Sequence, residues 1–428
     1  MTFEAVNVIR VHLWGNYVGA LAPGRTRGAF VFEYTPEWIQ KAIELSPTSM
    51  PSRRAPYVFP GLSETTFFGL PPAIADALPD RFGNAIIDAE LARRGASPRQ
   101  VTALDRLAYT GQRSMGALEF TPERGPGARP STMLDIGELV RTARDVIAGT
   151  LGSDHEAELA LQQILAIGTS AGGARAKAVV NVDPQSGELR PGQFPQDGQE
   201  SWLLKFDGVG KDAQLGETEV YGRVEYAYAA MARAAGIHMS QTRLLEENGR
   251  AHFMTRRFDR PGGTQKLHMQ TLCALSVLDY NLVGVHDYAQ YQQAIAQLAL
   301  GEEAAAEAFR RMVFNYAAAN CDDHTKNFSF LMDEAGQWSL APAYDITHAF
   351  NPAGPWTFQH LMGVEGKFQD VTKAEFMRFA ERHGVPGART IINDVTAAID
   401  SWSEFANTAG LTTDVSARIG RDHTPQES

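Results

Sequence analysis

The chain has 428 residues, 44% hydrophobic and 21% charged, which suits a folded protein of two or three domains rather than a disordered one. Its net charge of −11 argues against a broad nucleic-acid-binding surface on this chain alone. No signal peptide, membrane span or disulfide framework is recognisable, and Cys273 and Cys321 form no metal-binding pair, so we expect a cytoplasmic protein that does not associate with membranes.

Residues 1–125 are predicted to form an N-terminal α/β subdomain. The run VNVIRVHLWGNYVGAL alternates as a β-hairpin with Gly15-Asn16 at its turn, and GAFVFEYT (Gly28–Thr35) reads as a further strand. Helical patterns follow near EWIQKAIEL and NAIIDAELARRG. The run TPERGPGARPST (Thr121–Thr132) concentrates Pro, Gly and charge, so we place a boundary there.

Residues 126–262 combine helices and strands. Two predicted helices, MLDIGELVRTARDVIAG and one ending near Gly168, precede the Gly-rich turn GTSAGGARAK. A strand, a long hairpin loop and a second strand, SWLLKFDG with Lys205, come next. The helix ETEVYGRVEYAYAAMARAAGI and the strand-like runs QTRLLEENGR and AHFMTRRFDR follow. Apolar residues recur at helical spacing along that helix: Val224, Tyr228, Met231, Ala232 and Ala235.

Residues 263–428 are mostly helical in pattern, apart from one hairpin. The helix EAFRRMVFNYAAAN ends where the polar stretch NCDDHTKNFSFL (Asn320–Leu331) begins. One face of that helix is apolar: Phe309, Met312, Val313, Tyr316 and Ala317. NFSFLM then reads as a strand, DEAGQ as a turn and WSLAPAYDITHA as a returning strand. Asp322 and Asn327 therefore precede a hairpin, and Asp345 follows it.

This order of polar residues is typical of phosphoryl transfer. One carboxylate must accept the proton of the attacking hydroxyl, and an Asn with a second carboxylate must hold Mg²⁺ on the triphosphate oxygens. The catalytic loop of protein kinases has an Asp, an Asn five positions later, and a second Asp after a short hairpin. Asp322, Asn327 and Asp345 match this spacing, although YDIT stands in place of Asp-Phe-Gly.

The upstream segments supply further parts of a nucleotide site. Lys205 lies on a predicted strand, as does the kinase lysine that contacts the α/β-phosphates, and Glu225 lies on the following helix, where that lysine finds its ion-pair partner. The turn GTSAGGARAK fits neither a Walker loop nor Gly-x-Gly-x-x-Gly. Its Gly172-Gly173 pair can still present backbone N–H groups to phosphate oxygens.

Three other classes of site fit these residues less well. A phospholipase-D-type motif needs an Asp seven residues after His324, where the chain has Leu331. The letters GTSAG around Ser170 fit a nucleophile elbow, but they follow a predicted helix instead of a strand. A di-metal hydrolase would need further His or acidic ligands from the helical C-terminal region, which offers no comparable cluster. Its candidate ligands would be Asp322, Asp323, His324, Asp345 and His348.

The chain resembles the HipA family, the serine/threonine kinase toxins of bacterial toxin–antitoxin pairs. The resemblance covers most of the chain and rests on these segments: TSAGGARAKAVV, WLLKFD, VEYAYAAMARAAGI, RRFDR, NCDDHTKNFSF, APAYDIT and, in the first domain, LPDRFGNAII. It implies an α+β, protein-kinase-like two-lobe fold with an extra N-terminal α/β subdomain. The implied domains are residues 1–125, an N-lobe at 126–262 and a mainly helical C-lobe at 263–428.

The resemblance assigns roles residue by residue. It implies that Asp322 is the catalytic base, that Asn327 and Asp345 bind Mg²⁺, and that Ser170 is autophosphorylated, which expels the Gly-rich loop and silences the kinase. The residues expected at the ATP site are Ser170, Gly172, Gly173, Ala174, Arg175, Lys177, Lys205, Glu225, His324, Lys326, Asn327 and Asp345. Three of them have an alternative reading: Glu225 as a solvent-facing residue, His324 as a structural hydrogen-bonding residue, and Lys326 as a salt-bridge partner instead of a γ-phosphate contact. Two positions depart from the family pattern, since Arg256 replaces the usual Glu before RFDR and Val224 replaces the usual Asn before the helix Glu.

The implied function is an ATP/Mg²⁺-dependent serine/threonine kinase that inhibits growth by phosphorylating a translation-related protein, such as an aminoacyl-tRNA synthetase. The implied partner is a small helix-turn-helix antitoxin, through which the complex would bind operator DNA. Two alternatives remain open: a catalytically silent kinase-like module that serves antitoxin and operator binding, and a hydrolase that uses Ser170.

Overall fold

The architecture is taken from a computed structural model, which describes residues 3–26, 28–79, 81–125, 176–192, 195–207, 220–247, 249–262 and 264–424. One unit comprises Met1–Gly210, Arg256–Gln270 and Leu331–Gln337, and the other comprises Lys211–Thr255, Thr271–Phe330 and Trp338–Ser428. The predicted boundaries near residues 125 and 262 remain a prediction. Among the described residues, no helix has the length and apolarity that crossing a membrane requires.

An antiparallel sheet opens the first unit. Its strands are β1 (Ile9–Leu13), β2 (Asn16–Pro23), β3 (Phe30–Tyr34) and β4 (Leu118–Thr121), in the order β3-β2-β1-β4. The predicted hairpin is confirmed, but its turn lies one residue earlier, because Leu13 pairs with Asn16. Trp14 and Gly15 both have positive φ, 49° and 73°, as the favoured two-residue hairpin turn requires.

Short helices complete this part of the first unit: α1 (Pro36–Gln40), α2 (Glu64–Phe67), α3 (Pro72–Ala75), α4 (Arg81–Arg93) and α5 (Ala103–Thr110). The helix predicted at NAIIDAELARRG is confirmed as α4. The helix predicted at EWIQKAIEL is wrong beyond Gln40, because Ala42 adopts a left-handed φ of 55° that a right-handed helix cannot contain. The apolar Leu45 is buried in the following loop and not on a helix.

Three further strands belong to the first unit: β5 (Lys177–Val182), β6 (Leu189–Pro191) and β7 (Glu200–Lys205). Strand β5 pairs antiparallel with both others, and all six of its residues are buried. The predicted strand–loop–strand is confirmed, with β6 as an addition inside the loop. The two helices predicted at 133–168, the Gly-rich turn and most of the predicted linker lie outside the described residues.

The second unit begins with helix α6 (Tyr221–Ala234), which is followed by the antiparallel strands β8 (Thr242–Glu247) and β9 (Arg250–Arg256). This order was predicted. The predicted apolar face is confirmed, because Val224, Tyr228, Met231, Ala232 and Ala235 are all buried. Gly222 brings the first turn of α6 against β9, where a Cβ atom would lie 1.9 Å from the carbonyl oxygen of Ala251.

The rest of the chain is mainly helical, as predicted. Its elements are β10 (His268–Thr271), α7 (Leu272–Leu275), β11 (His286–Asp287), α8 (Tyr288–Gln297), α9 (Gly301–Ala317), β12 (Ser329–Met332), β13 (Trp338–Leu340), β14 (Met362–Gly363), α10 (Lys373–His383), α11 (Ala388–Asp400), α12 (Trp402–Thr408) and α13 (Thr413–Gly420). The apolar face predicted for α9 is buried in one hydrophobic core with α6, α10 and α11. This core fixes the carboxyl end of α9, from which the polar stretch continues.

Candidate active site

The predicted loop is present between α9 and β12. Asp322 lies in irregular chain, and Asn327 ends a single turn of 3₁₀-helix, Thr325–Asn327. The Asn327 Nδ2 donates a hydrogen bond to the main-chain oxygen of Asp322, at 2.7 Å. The five-residue spacing therefore closes a compact loop that holds the Asp and the Asn side by side.

Asp322 presents an accessible carboxylate in a crowded setting. Its side chain is 41% exposed, while Trp356 Nε1 donates to its Oδ1 at 2.7 Å and His324 Nε2 lies 3.8 Å from the same oxygen. Partial desolvation of this half-buried side chain raises the pKa of the Asp322 carboxyl. His324 and Trp356 lower this pKa, and the negative charges of Asp345 and Asp323 raise it. A raised pKa suits a group that must accept a proton.

The neighbouring Asp323 is a buried structural residue. Its carboxylate is fully buried and accepts hydrogen bonds from the Tyr288 hydroxyl at 2.8 Å and the Leu361 N–H at 2.7 Å. Its Oδ2 also lies 3.0 Å from His360 Nδ1. A di-metal site would need Asp323 and His348 as ligands. His348 Nε2 instead lies 2.9 Å from Asp422 Oδ2, and among the described residues no group of three or more His, Cys, Asp or Glu side chains is arranged to hold a metal ion.

His324 and Lys326 belong to an aromatic cluster beside Asp322. The ring centroid of His324 lies 5.3 Å from that of Tyr280 and 6.3 Å from that of Trp356. The Lys326 ammonium lies 4.8 Å from the Tyr280 ring centroid, within the range of a cation–π contact. Both side chains of this loop therefore pack against aromatic rings. Whether either of them contacts ATP remains a prediction.

Asp345 follows the hairpin, as predicted, and adopts a left-handed φ of 52°. Asp345 and Asn327 line one small cavity, whose wall also includes Asn320, Arg311 and Asp323. The buried Asn320 Oδ1 has no hydrogen-bond partner. Carboxylate and amide oxygens are suitable ligands for Mg²⁺, which usually takes only one or two protein carboxylates plus phosphate and water oxygens. The side chains at this point therefore fit the predicted metal.

Lys205 lies at the end of β7 in the first unit and pairs across the strands with Lys177. Directly opposed residues of an antiparallel pair lie on the same face of the sheet. Both lysines are buried, with 8% exposure for Lys205 and 2% for Lys177. The strand pairing thus concentrates two positive charges at one end of the sheet, where an anionic group such as a phosphate would be stabilised.

Glu225 and Arg256 both have defined surroundings in the structure. Glu225 is buried on α6, with 2% exposure, so a solvent-facing role is wrong. Arg256 Nη1 lies 3.3 Å from Glu200 Oε1, which gives this replacement an ion-pair partner on β7. Ser170, Gly172, Gly173, Ala174 and Arg175 lie outside the described residues, and their proposed roles remain predictions.

Sequence reasoning missed three aromatic or imidazole side chains of the site: Tyr280, Trp356 and His360. They reach the catalytic loop from two loops that are far away in the sequence and follow no periodic pattern. The sequence signal for Trp356 is its place directly after Gly-Pro in NPAGPWTFQH, since a large aromatic residue in such a turn-rich run needs a packing partner.

Comparisons with known proteins agree with this fold. A solved HipA from Shewanella oneidensis, described as a toxin–antitoxin complex with HipB and operator DNA, superimposes with a TM-score of 0.64 at 16% identity, covering 97% of this chain and 94% of that one. A Sinorhizobium fredii protein named "Putative kinase Y4mE" is 26% identical over 427 residues, which cover 93% of this chain and 91% of the relative. A Haemophilus influenzae "Putative kinase" is 29% identical over 136 residues, 28% of this chain and 39% of the relative.

The fold is of the α+β, protein-kinase-like class, and the predicted fold class is confirmed. The family model of the HipA-like C-terminal domain matches residues 169–403, and that of the HipA N-terminal domain matches residues 9–121. The chain belongs to the HipA family.

Proposed function

We propose that this protein is an ATP- and Mg²⁺-dependent serine/threonine kinase that acts as the toxin of a toxin–antitoxin pair. The observation that carries the proposal is the convergence of Asp322, Asn327 and Asp345. Asn327 is hydrogen-bonded to the main chain of Asp322 and lines one cavity with Asp345. A silent module would be free to lose any of these residues. The kinase names given to the two relatives support the same activity.

In this mechanism Asp322 accepts the proton of a serine or threonine hydroxyl while that oxygen bonds to the γ-phosphorus of ATP and ADP leaves. Asn327 and Asp345 would hold Mg²⁺, which offsets the negative charge of the phosphates. Lys177 and Lys205 supply positive charge for the α- and β-phosphates from their shared face of the sheet. The exposed fraction of Asp322, 41%, leaves room for a hydroxyl to reach it.

Regulation and partners follow from the family. We propose Ser170 as the site of autophosphorylation, because a dianionic phosphate beside Arg175 and Lys177 would hold the Gly-rich loop in a new position. A helix-turn-helix antitoxin and, through it, operator DNA are the proposed partners, since the Shewanella structure contains HipB and operator DNA. The proposed target is a translation-related protein such as an aminoacyl-tRNA synthetase.

Purified protein with labelled ATP and Mg²⁺ tests the chemistry. We expect wild type to label itself, Asp322→Asn to lower the rate by roughly 10²–10⁴-fold, and Asp345→Ala to abolish labelling. Asp400→Asn, an exposed carboxylate at the end of α11, is the matched control and should label as wild type does. If wild type transfers phosphate neither to itself nor to any protein of a bacterial lysate, the kinase proposal is wrong.

The variants Ser170→Ala and Asp345→Ala test the proposed autophosphorylation and the proposed toxicity separately. Ser170→Ala should abolish self-labelling and leave transfer to other proteins intact. Unchanged self-labelling would remove only the proposed switch. Expression of wild type should arrest growth, and Asp345→Ala should not. Arrest by both would favour the catalytically silent binding module.

A further inference from the structure

The loop that carries Trp356 closes over the proposed base. Trp356 Nε1 donates to Asp322 Oδ1 at 2.7 Å, and His324 Nε2 lies 3.8 Å from that same oxygen. Among the described contacts of this carboxylate, none involves Oδ2. One oxygen is thus held by the protein, and the other is the one available to a substrate hydroxyl.

The loop is fixed on the side that follows Trp356. Asp323 accepts from the Leu361 N–H at 2.7 Å and lies 3.0 Å from His360 Nδ1, four residues after the indole. The next residues form β14, which pairs in parallel with β11, and the Tyr316 hydroxyl donates to Met362 O at 3.0 Å. The ring of His360 stacks on that of Tyr316, with centroids 3.7 Å apart.

The loop is also tied on the side that precedes Trp356. The Ala349 N–H donates to Ala319 O at 3.1 Å, directly before the polar stretch begins. The Asn351 N–H donates to Thr357 O at 3.1 Å and closes the loop on itself. The loop that carries Trp356 is therefore attached to Asp323, to Tyr316 of α9 and to Ala319, so the position of Trp356 depends on the same segment that carries Asp322.

We propose that Trp356 is a positioning residue for phosphoryl transfer, which rests on the proposed kinase function. Its indole N–H orients Asp322 through Oδ1, and the buried Asp323 anchors the loop that presents the indole. The two adjacent aspartates thus have separate roles. Asp322 faces the substrate, and Asp323 anchors the loop whose indole orients Asp322. Orientation matters because a base must lie within hydrogen-bond reach of the proton that it accepts, about 2.6–3.2 Å between heavy atoms.

NMR tests the hydrogen bond between Trp356 and Asp322 without a measurement of kinase activity. The chain contains six Trp residues, so a ¹H–¹⁵N spectrum shows up to six indole N–H signals, and Trp356→Phe identifies one of them by its loss. In Asp322→Ala that signal should shift and exchange faster with solvent, while the signal of Trp14, whose indole donates to Lys266 O at 2.7 Å, stays in place. An unmoved Trp356 signal would overturn the proposal.

Kinetics test the positioning role. Trp356→Phe keeps an aromatic ring but removes the donor, so kcat should fall roughly 10- to 100-fold while the KM for ATP changes less than about twofold. Trp14→Phe removes an indole hydrogen bond of the same length in the first unit and should leave kcat unchanged. A wild-type kcat in Trp356→Phe would overturn the proposal. If wild type transfers no phosphate at all, the kinase function fails, and the NMR shift would then reveal a purely structural contact.

Discussion

The imidazole Nε2 of His348 lies 2.9 Å from Oδ2 of Asp422, which ties the C-terminal segment to the loop that carries Asp345. The two following residues reinforce this attachment. His423 Nε2 lies 2.8 Å from the Tyr228 hydroxyl, and the Thr424 N–H donates to Ala317 O at 2.9 Å. Burial lowers the pKa of His423 to about 4, so its ring is neutral at neutral pH. Three consecutive residues therefore join α6, the end of α9 and the loop that carries Asp345.

Ending the chain after Arg421 should destabilise the second unit. The truncation removes the hydrogen bonds of Asp422, His423 and Thr424 and the packing of the His423 ring on Trp402. At about 1 kcal/mol for each net hydrogen bond, we expect the free energy of unfolding to fall by roughly 2–4 kcal/mol. Urea denaturation measures this change.

A chain that ends after Thr424 is the control for that truncation, because it keeps all of these contacts. It should unfold at the same urea concentration as the full chain. Equal losses in both truncations would show that the three residues contribute nothing.

Asp259, in the family segment RFDR, should be a structural residue of the first unit. Its fully buried carboxylate contacts Arg257 Nη2 at 2.7 Å, Arg260 Nη1 at 2.8 Å and the Gly116 N–H at 2.7 Å. Burial alone would raise the pKa of Asp259, but the two guanidinium groups outweigh it and hold this pKa well below its usual range. Asp259→Ala would leave two buried positive charges without their partner, and we expect a loss of about 3–5 kcal/mol in the free energy of unfolding.

The matched control for Asp259 is Asp88→Ala. Asp88 also pairs with an arginine, Arg106, at 2.7 Å, but its side chain is 49% exposed. Exposed pairs contribute about 0–1 kcal/mol, so this variant should lose no more than that. Similar losses in the two variants would contradict the difference that burial predicts.

His268 should make the stability of the first unit depend on pH. The side chain is fully buried near Leu45 O, and burial lowers its pKa to about 4. An unfolded His titrates near pH 6.5, so between these values the unfolded chain binds more protons. The stabilisation is thus complete above about pH 6.5 and is lost as the pH falls towards 4, by roughly 3 kcal/mol in total.

Denaturation of His268→Gln at several pH values tests this dependence, with the exposed His238→Gln as the control. The His268 variant should lose stability less steeply below pH 6.5 than wild type does, and the His238 variant should follow wild type. Identical slopes for wild type and His268→Gln would assign the acid sensitivity to other groups.

The candidate catalytic loop could be predicted because its polar residues are close together in the sequence. Asp322 and Asn327 lie five residues apart on one loop, and Asp345 follows a hairpin whose alternation is visible in the sequence. The buried faces of α6 and α9 were predictable for the same reason, since local periodicity determines them.

Contacts between residues far apart in the sequence could not be predicted from local sequence patterns. Trp356 lies 34 residues from Asp322, in a Gly- and Pro-rich run that has no period. Whether Asp323 binds metal or anchors a loop depends on its burial against Tyr288 and His360, which adjacent sequence does not encode. The early end of α1 at Gln40 likewise follows from the backbone conformation of Ala42 and not from any loss of apolar spacing.

Gly222→Ala should reverse the usual effect of this substitution in a helix. Alanine is ordinarily favoured over glycine by about 1 kcal/mol inside a helix. At Gly222, however, the new Cβ would lie 1.9 Å from Ala251 O and 3.1 Å from Phe253 N, and both are strand backbone atoms that cannot rotate away. Helix α6 would have to move off β9, so we expect a net loss of roughly 1–3 kcal/mol.

Ala230→Gly on the same helix provides the comparison, because its cost should be only the ordinary propensity difference, about 0.5–1 kcal/mol. Urea denaturation should therefore show a lower free energy of unfolding for both variants, although the two substitutions are chemically opposite. The loss should be larger for Gly222→Ala than for Ala230→Gly. A Gly222→Ala variant more stable than wild type would show that α6 does not pack against β9 this closely in solution. Since α6 also carries the buried Glu225, its displacement should lower the rate of self-labelling as well, and Ala230→Gly should not.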